Sequence, residues 1–276
     1  MINSYYKILD TNVDLLTTEE WHWLHKLDLG KVIDVQPLPE AITNQVFLLR
    51  FDNHRLFVFK RLNLMARDQH KRKHELAVQH LAYERGLSAK VVAYCQHYYL
   101  LSYIQGKVLS QYPRSDLTIK LLAKQLYRIH QLPALYAEQQ ALTQELLNLQ
   151  QSLGEKLQSD GFEYFLHLAK KLDMRSQKKT LCHGDLSLKN LIREEKGSIK
   201  ILDWEYSVLA DPSYDLAWCC LINHFNQQQK ASLIKTYYQL HRMPLSYMQF
   251  KQECELYLSI FTYINQLWER RFVQNH

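Results

Sequence analysis

Glycine, long apolar runs and paired cysteines are scarce in this sequence of 276 residues. It has no run of 18 or more apolar residues, which argues against a membrane-spanning helix. The N-terminal sequence MINSYYKILD lacks the positive region and following apolar run of a secretory signal. The five cysteines are odd in number and show no Cys-x-x-Cys spacing, which argues against a disulfide framework and a zinc site. We therefore expect a cytoplasmic protein that does not insert into a membrane, and the sequence leaves its oligomeric state open.

The formal charge of the chain is +6 and its isoelectric point is near 8.9. Its densest basic run, RDQHKRKHE at residues 67–75, precedes apolar residues at helical spacing and contains no interleaved aromatic residues. This pattern is typical of a helix whose basic face is solvated. The charge therefore does not predict a nucleic-acid partner.

The segment LCHGDLSLKNLIREEKGSIKILD, residues 181–203, carries the strongest chemical signal. Two short apolar stretches separated by EEKG predict a β-hairpin, which would return Asp203 to the level of Asn190. Carboxylate and amide oxygens are hard ligands that suit Mg²⁺, so these two residues are the predicted metal ligands. Asp185 then remains to accept the proton of an attacking hydroxyl, as the catalytic-loop aspartate of protein kinases does. We expect it to have little burial, a low pKa and a mainly orienting role.

The sequences HGDLSLKN and ILDWEYSVLADPSYDLA, within residues 183–217, resemble motifs of the aminoglycoside phosphotransferase and choline kinase superfamily. The DWEY form is most similar to the choline, ethanolamine and thiamine kinase branches. The resemblance implies a protein-kinase-like α+β fold, with a small N-terminal antiparallel β lobe and a larger, mostly helical C-terminal lobe. It also implies ATP and Mg²⁺ as cofactors. In such a protein His183 orients the loop and Asp215 braces it.

The predicted N-terminal nucleotide-binding lobe covers residues 1–101 and begins with a helix over residues 17–29. Thr17 and Glu20 have the spacing of a capping box at its start. Alternating apolar residues then predict an antiparallel sheet of five strands. These strands are expected at residues 32–38, 45–51, 55–62, 91–96 and 97–104.

Lys60 ends an alternating strand, the position from which a kinase lysine reaches the α and β phosphates. Glu75, in an R-x-x-E segment like that of the family, is its expected partner in an exposed pair. The loop at residues 39–45 resembles the segment that covers the phosphates, but it contains no glycine. Thr43 and Asn44 would then contact phosphates through side chains, or the loop is simply a polar hairpin turn.

The predicted hinge is residues 102–106, where the backbone of Ser102 to Ile104 would pair with the adenine edge and Tyr103 or Ile104 would pack on the purine. The C-terminal catalytic and acceptor-binding lobe would cover residues 107–276. Asp116 is the predicted N-cap of its first helix, and His130 is expected to be a satisfied core histidine. Asp215 is also the predicted N-cap of the helix after the motif.

Aromatic residues are abundant in the C-terminal helices, which shape the acceptor pocket in the resembled family. Aromatic faces attract quaternary or protonated amines, although aromatics at helical spacing also build cores. Trp218 and Trp268 are the candidate acceptor residues. Glu205 is predicted either to lie near Mg²⁺ as an additional carboxylate or to contact a cationic acceptor.

The sequence thus predicts transfer of the γ-phosphoryl group of ATP to a hydroxyl of a small cationic alcohol such as choline, ethanolamine or thiamine. An aminoglycoside or a sugar is the alternative acceptor. A catalytically silent nucleotide-binding regulatory protein is the alternative of another class. The absence of D-F-G and A-P-E segments argues against a protein kinase.

Overall fold

The computed structural model describes an N-terminal antiparallel sheet followed by a larger, mostly helical part, which confirms the predicted α+β class. The boundaries at residues 101 and 107 stay a prediction. No helix within the described residues is long and apolar enough to cross a membrane. The described residues are 15–38, 44–63, 69–135, 137–154, 161–175, 179–241 and 244–274.

Helix α1, Thr18–His25, begins with the predicted capping box. The Thr17 backbone N–H donates to the Glu20 carboxylate at 2.7 Å, and the Glu20 N–H donates to the Thr17 hydroxyl at 3.3 Å. The helix ends before the predicted residue 29, because Asp28 adopts a left-handed conformation with φ of 51°. Glu20 is buried and also accepts a hydrogen bond from Arg61 at 2.6 Å, which fastens α1 to the sheet.

The N-terminal sheet has the five predicted strands in the order β1-β2-β3-β5-β4, all antiparallel. Alternate residues such as Phe47, Phe57 and Phe59 are buried between the sheet and α1, as the period of two requires. Lys60 lies on β3 opposite Val46 on β2. The strands are β1 Val32–Pro37, β2 Gln45–Phe51, β3 Leu56–Arg61, β4 Val91–Tyr94 and β5 Tyr98–Ser102.

Helix α2, Gln69–Glu84, connects strands β3 and β4 of the sheet, and its basic face is not entirely solvated as predicted. Arg72 is only 7% exposed. Its Nη2 donates to the Asn63 carbonyl at 2.6 Å, while Nε and Nη1 have no hydrogen-bond partner among the residues that the structure describes. The prediction of a solvated basic face fails at Arg72 because residues 72, 75 and 78 are three apart in the helix. Arg72 and Glu75 therefore lie toward the side of the buried Val78.

The segment after α2 is bonded to the C-terminal part of the chain. The Ile201 N–H donates to the Leu87 carbonyl at 2.7 Å, and Trp204 Nε1 donates to Ser88 Oγ at 3.1 Å. Val78 and Leu87 also share a core cluster with Trp204. Helix α2 therefore packs on the C-terminal part, although it connects two strands of the N-terminal sheet.

The helical part consists of six helices and two small sheets within the described residues. The helices are α3 Asp116–His130, α4 Leu142–Leu153, α5 Phe162–Asp173, α6 Pro212–Ile222, α7 Gln227–Leu240 and α8 Tyr247–Gln274. One sheet has the order β10-β9-β6, with strands Ile199–Ile201, Leu191–Arg193 and Lys107–Val108. The other has the order β7-β11-β8, with strands Glu138–Gln139, Val208–Ala210 and Thr180–Cys182.

The antiparallel pair β9 and β10 is the predicted hairpin after the motif. Both predicted N-caps are displaced. Ser115 rather than Asp116 caps α3, since its hydroxyl accepts from the Thr118 N–H at 3.3 Å. Asp211 rather than Asp215 precedes α6, because Pro212 takes the first helical position, where its missing N–H costs no hydrogen bond.

Candidate active site

The loop from His183 to Asn190 leaves strand β8 through a glycine that the backbone requires. Gly184 has φ of 75°, and a Cβ atom there would collide with the Tyr206 carbonyl oxygen. His183 is buried, and its Nε2 donates to the Leu202 carbonyl at 3.0 Å. Its Nδ1 accepts from the Asp185 N–H at 3.2 Å. Burial lowers the pKa of His183, so the neutral ring joins the loop to the end of the β9–β10 hairpin.

Asp185 and Asn190 are in direct contact at the two ends of this loop. The Asn190 side-chain Nδ2 donates to the Asp185 carbonyl at 2.9 Å and to its carboxylate Oδ2 at 3.1 Å. Burial, followed by the charge of Asp203, raises the pKa of Asp185 to about 7. The expectation of little burial is therefore wrong, because surrounding atoms as well as neighbouring carboxylates disfavour the ionised form, whereas the low pKa expected beside Mg²⁺ stays a prediction. A divalent cation beside Asp203 would oppose the second effect.

Lys60 reaches from strand β3 to the C-terminal part of the chain. Its Nζ lies 2.9 Å from Asp203 Oδ1 and 3.7 Å from Glu75 Oε1. The Lys60 side chain is 12% exposed and that of Glu75 is 4% exposed, so the pair is buried and not exposed as predicted. Burial alone would lower the pKa of Lys60, but the charges of Asp203 and Glu75 hold it above its ordinary value.

Asp203 has an unusual backbone conformation, with φ of 63° and ψ of 64°. A left-handed residue other than glycine costs roughly 1 to 3 kcal/mol and persists where surrounding contacts enforce it. Here the Leu202 N–H donates to the Asn190 carbonyl at 2.8 Å, and Trp204 next in the chain is fully buried. The hairpin thus holds the Asp203 carboxylate beside the loop, as the spacing predicts.

Asp215 braces the beginning of the loop from inside helix α6. Its carboxylate accepts from the His183 N–H at 2.8 Å and the Gly184 N–H at 3.0 Å. It also contacts His130 Nε2 at 3.0 Å, and His130 Nδ1 lies 2.6 Å from the Tyr237 hydroxyl. Burial alone would raise the pKa of Asp215, but the hydrogen bond and charge of His130 hold it below its ordinary value. His130 is the satisfied core histidine that the sequence predicts.

Asn223, directly after α6, is a contact to the loop that sequence reasoning missed. Its Oδ1 accepts from the Leu188 N–H at 2.8 Å, and its Nδ2 donates to the Leu186 carbonyl at 3.1 Å. A single asparagine after an apolar helix reads as a cap, and it does cap α6. No spacing in the sequence connects it to the loop.

Asn190 and Asp203 fit the requirements of a Mg²⁺ site. Because Asn190 Nδ2 donates to Asp185, its Oδ1 is the amide atom that remains for a metal. The Asp203 side chain keeps 34% exposure although Lys60 approaches Oδ1. Burial and then the charges of Asp203 and Glu205 raise the pKa of Asp185, and a divalent cation would reduce the part that is due to the neighbouring carboxylates.

The structure places three of the predicted nucleotide-binding residues, Asn44, Ser102 and Ile104, in different surroundings. Asn44 Oδ1 accepts from the Asn63 N–H at 3.1 Å, and residues 39–43, with Thr43, lie outside the described residues. Ser102 exchanges hydrogen bonds with Lys90, its N–H donating to the Lys90 carbonyl and its hydroxyl accepting the Lys90 N–H, both at 2.9 Å. Its N–H is therefore already used. Ile104 lies in an apolar cluster with Leu62 and other residues.

The predicted acceptor residues do not form one group. Glu205 follows Asp203 in a short 3-10 turn, is 9% exposed and contributes to the charge around Asp185 and Lys60. Trp218 packs on Phe261 with ring centroids 4.9 Å apart, so it belongs to the core between α6 and α8. Trp268, further along α8, is 38% exposed. For Trp218 the structure thus favours the core reading that the sequence left open.

One buried cluster has metal-binding residue types but includes neither of the predicted metal ligands, Asn190 and Asp203. His130, Cys182 and Asp215 place their ligand atoms within 4.8 Å of one another. The histidine and aspartate are occupied by the hydrogen bonds given above, and Cys182 Sγ is 3.6 Å from the Asp211 carbonyl. Burial and the nearby aspartates raise the pKa of the Cys182 thiol, which disfavours the thiolate that a metal would need.

Comparisons with known proteins identify the family of the chain and related folds. Residues 34–247 match the model of a family described as the phosphotransferase enzyme family. The curated acyl-CoA dehydrogenase family member 10 of Mus musculus is 51% identical over 49 residues, which are 17% of this chain and 5% of that protein. This chain therefore matches only a small part of that relative.

Three solved structures with related folds show that proteins with different named activities share this fold. Choline kinase LicA from Streptococcus pneumoniae is 21% identical with a TM-score of 0.69, covering 94% of this chain and 92% of that chain. Plasmodium vivax ethanolamine kinase is 16% identical with a TM-score of 0.65, and the match covers 85% of this chain and 75% of that chain. Macrolide 2'-phosphotransferase MphH from Brachybacterium faecium is 12% identical with a TM-score of 0.65, covering 94% of both chains. These likenesses confirm the predicted protein-kinase-like, two-lobed fold.

Proposed function

This chain belongs to the phosphotransferase enzyme family, and from that premise we propose that it transfers the γ-phosphoryl group of ATP to a hydroxyl of a small cationic alcohol. Choline, ethanolamine and thiamine are the leading acceptors. In this proposal the lobes at residues 1–101 and 107–276 close on the nucleotide about residues 102–106.

The observation that carries the proposal is the convergence of Lys60 with three side chains from the distant segment of residues 185–203. Lys60 from the sheet meets Asp203 from the hairpin, while Asp185 contacts Asn190 on the adjacent loop. A lysine, two carboxylates and an amide are the groups that phosphoryl transfer needs, because that reaction depends on positioning and charge stabilisation. A catalytically silent protein would have no need to keep all four.

Each of these residues has a separate part in the reaction. Asp185 orients the acceptor hydroxyl and receives its proton, helped by the hydrogen bond from Asn190. Lys60 contacts the α and β phosphates, and Glu75 keeps its ammonium group directed into the cleft. Asn190 and Asp203 would hold Mg²⁺. When bound, Mg²⁺ supplies positive charge that neutralises the phosphate oxygens during transfer.

The adenine contact is assigned to Ile104. Ser102 uses its N–H for Lys90, and the Tyr103 N–H lies 3.4 Å from the Leu56 carbonyl, so both face the sheet. The apolar Ile104 side chain, beside Leu62 and near Leu202, suits the face of a purine. A structure of LicA in complex with AMP, 22% identical to this chain, supports nucleotide binding by this fold.

The preference for a cationic acceptor is supported by charge. The site has one lysine and four carboxylates, those of Glu75, Asp185, Asp203 and Glu205, and the nearly buried Glu205 is the one that this proposal assigns neither to Mg²⁺ nor to Lys60. An ammonium group near Glu205 would be attracted by this excess of negative charge. The relatives named as choline and ethanolamine kinases have the same fold.

A larger antibiotic acceptor is the second candidate function. Its support is the similarity to macrolide 2'-phosphotransferase MphH, whose chain is covered as completely as that of LicA. Such an acceptor would also present a hydroxyl to Asp185. The two candidates differ in the pocket that holds the rest of the acceptor.

A panel of acceptors in an ATP-consumption assay tests the proposal. We expect Mg²⁺-dependent turnover with choline, ethanolamine or thiamine, and loss of that turnover in the matched variant Asp185→Asn. Preferred turnover with an aminoglycoside, a macrolide or a neutral sugar would replace the cationic-alcohol assignment. Binding of Mg·ATP without turnover on the whole panel would favour the regulatory reading.

A further inference from the structure

Helix α6 holds the candidate catalytic loop from two sides. Asp215, within the helix, binds the N–H groups of His183 and Gly184, directly before Asp185. Asn223, at the C-terminal end of the helix, binds the backbone on the other side of Asp185. The catalytic aspartate therefore lies between two attachments to one rigid element.

The side chain of Asn223 is completely satisfied by this arrangement. Its Oδ1 accepts from the Leu188 N–H at 2.8 Å. Its Nδ2 donates to the Leu186 carbonyl at 3.1 Å and to the Cys219 carbonyl at 2.8 Å. Asn223 is 4% exposed, and Arg114 Nη1 donates to its backbone carbonyl at 2.9 Å. An amide is the natural group here, since one side chain must both accept and donate.

We infer that Asn223 is a positioning residue for phosphoryl transfer, acting through the loop that carries Asp185; this rests on the proposed function. Leu186 and Leu188 are 0% and 3% exposed, so their backbone groups are removed from water. Loss of the Asn223 amide leaves a buried donor and a buried acceptor unpaired, and the loop must move to satisfy them. That movement displaces Asp185 relative to Asn190 and Asp203.

The hydrogen-bond pattern predicts an order among substitutions. Asn223→Asp has the same shape and keeps an acceptor for the Leu188 N–H, but it loses the donor and faces two carbonyl oxygens. Asn223→Ala loses both attachments. Asn226, three residues later, provides a matched control, because its side chain caps α7 by accepting from the Gln229 N–H at 2.9 Å.

The first measurement separates kcat from KM. We expect Asn223→Ala to lower kcat about 10- to 100-fold while the KM values for ATP and acceptor change about twofold or less, because small displacements of a reacting group cost this much. Asn223→Asp should lose at least as much activity as Asn223→Ala, because its buried carboxylate would face the Leu186 and Cys219 carbonyl oxygens. Asn226→Ala should lower thermal stability without lowering kcat. A loss of kcat in Asn226→Ala equal to that in Asn223→Ala, at equal loss of stability, would overturn the inference.

A double-mutant cycle with Asp185→Asn provides the second measurement. If Asn223 works by placing Asp185, its removal should cost little further kcat once that carboxylate is absent. The two single effects should then be far from additive in logarithms of kcat. Additive effects would show that Asn223 acts independently of Asp185 and would refute the positioning role.

Hydrogen exchange tests the attachment without requiring activity. The Leu188 amide should exchange faster in Asn223→Ala than in the unsubstituted protein, while Asn226→Ala leaves it unchanged. Unchanged exchange would refute the inference even if the acceptor panel succeeds. Faster exchange in a protein with no turnover on the panel would refute the proposed function and leave the attachment standing.

Discussion

Replacing Asp185 by asparagine should make the folded protein more stable at alkaline pH while it destroys activity. Burial and the charge of Asp203 raise the pKa of this carboxyl from 3.8 to about 7 in the folded protein. A raised folded pKa means that folding favours the protonated form. The ionised carboxylate therefore lowers the free energy of unfolding at every pH above its unfolded pKa. Asparagine is neutral and removes this cost.

The structure gives the size of the effect and its pH range. The rise of the Asp185 pKa from 3.8 to about 7 corresponds to at most about 4 kcal/mol of unfolding free energy. The cost is absent below about pH 4, develops as the pH rises toward 7 and is complete at about pH 8. Asparagine still offers an oxygen to Asn190 Nδ2, so the loop keeps that hydrogen bond.

Urea unfolding of both proteins at several pH values, in the presence of a chelator, measures this difference. We expect Asp185→Asn to exceed the unsubstituted protein by up to about 4 kcal/mol at pH 8 and to equal it near pH 4. Asp116→Asn is the control of opposite sign. Hydrogen bonds from Lys120 and Ser232 lower the pKa of Asp116, so its carboxylate stabilises the fold above pH 4 and the variant should be weaker there.

A variant that is less stable than the unsubstituted protein at pH 8, or equally stable at all pH values, would contradict this account of the site. The same variant should bind Mg·ATP with nearly unchanged affinity and lose kcat by about two to four orders of magnitude. Calorimetry and single-turnover rates measure these quantities. A loss of less than tenfold would remove Asp185 as the group that receives the hydroxyl proton.

Three further substitutions test the remaining geometry. Asp203→Asn should abolish turnover and weaken Mg·ATP binding in calorimetry, because it removes a predicted metal ligand and the partner of Lys60; normal affinity would exclude the ligand role. Lys60→Ala should raise the KM for ATP and leave the acceptor KM nearly unchanged, whereas a change in the acceptor KM alone would reassign the lysine. Gly184→Ala should destabilise the protein by more than about 1 kcal/mol in thermal unfolding, since φ is positive and Tyr206 blocks a Cβ atom; unchanged stability would refute that steric reading.

Local patterns predicted the elements of the fold, but their pairing needed the structure. The alternation of β2 and the turn EEKG between β9 and β10 are signals within a few residues, so they could be read directly. The insertion of β5 between β3 and β4 depends on contacts between distant segments and has no periodic signal. The displaced cap at Ser115 has a simpler cause, because serine and aspartate both cap helices well and stand next to each other.

In the candidate site, too, features set by nearby residues were predicted and features set by distant residues were not. Asp185, Asn190 and Asp203 are close in sequence, so their spacing around a loop and a hairpin predicted their meeting. Burial could not be predicted, because it is produced by elements far along the chain, and this explains the errors for the burial of Asp185 and of the Lys60–Glu75 pair. Asn223 was missed for the same reason.

The attachment of residues 86–88 to the β10 region has a consequence for how the protein comes apart. Val78 and Leu87 are buried with Trp204, so a fragment ending at residue 101 would leave an apolar helix face in water. We therefore expect that separately expressed halves aggregate and that the intact chain melts in one cooperative transition. On this expectation, neither part is an autonomous module that could be exchanged among proteins by a cut at residue 101.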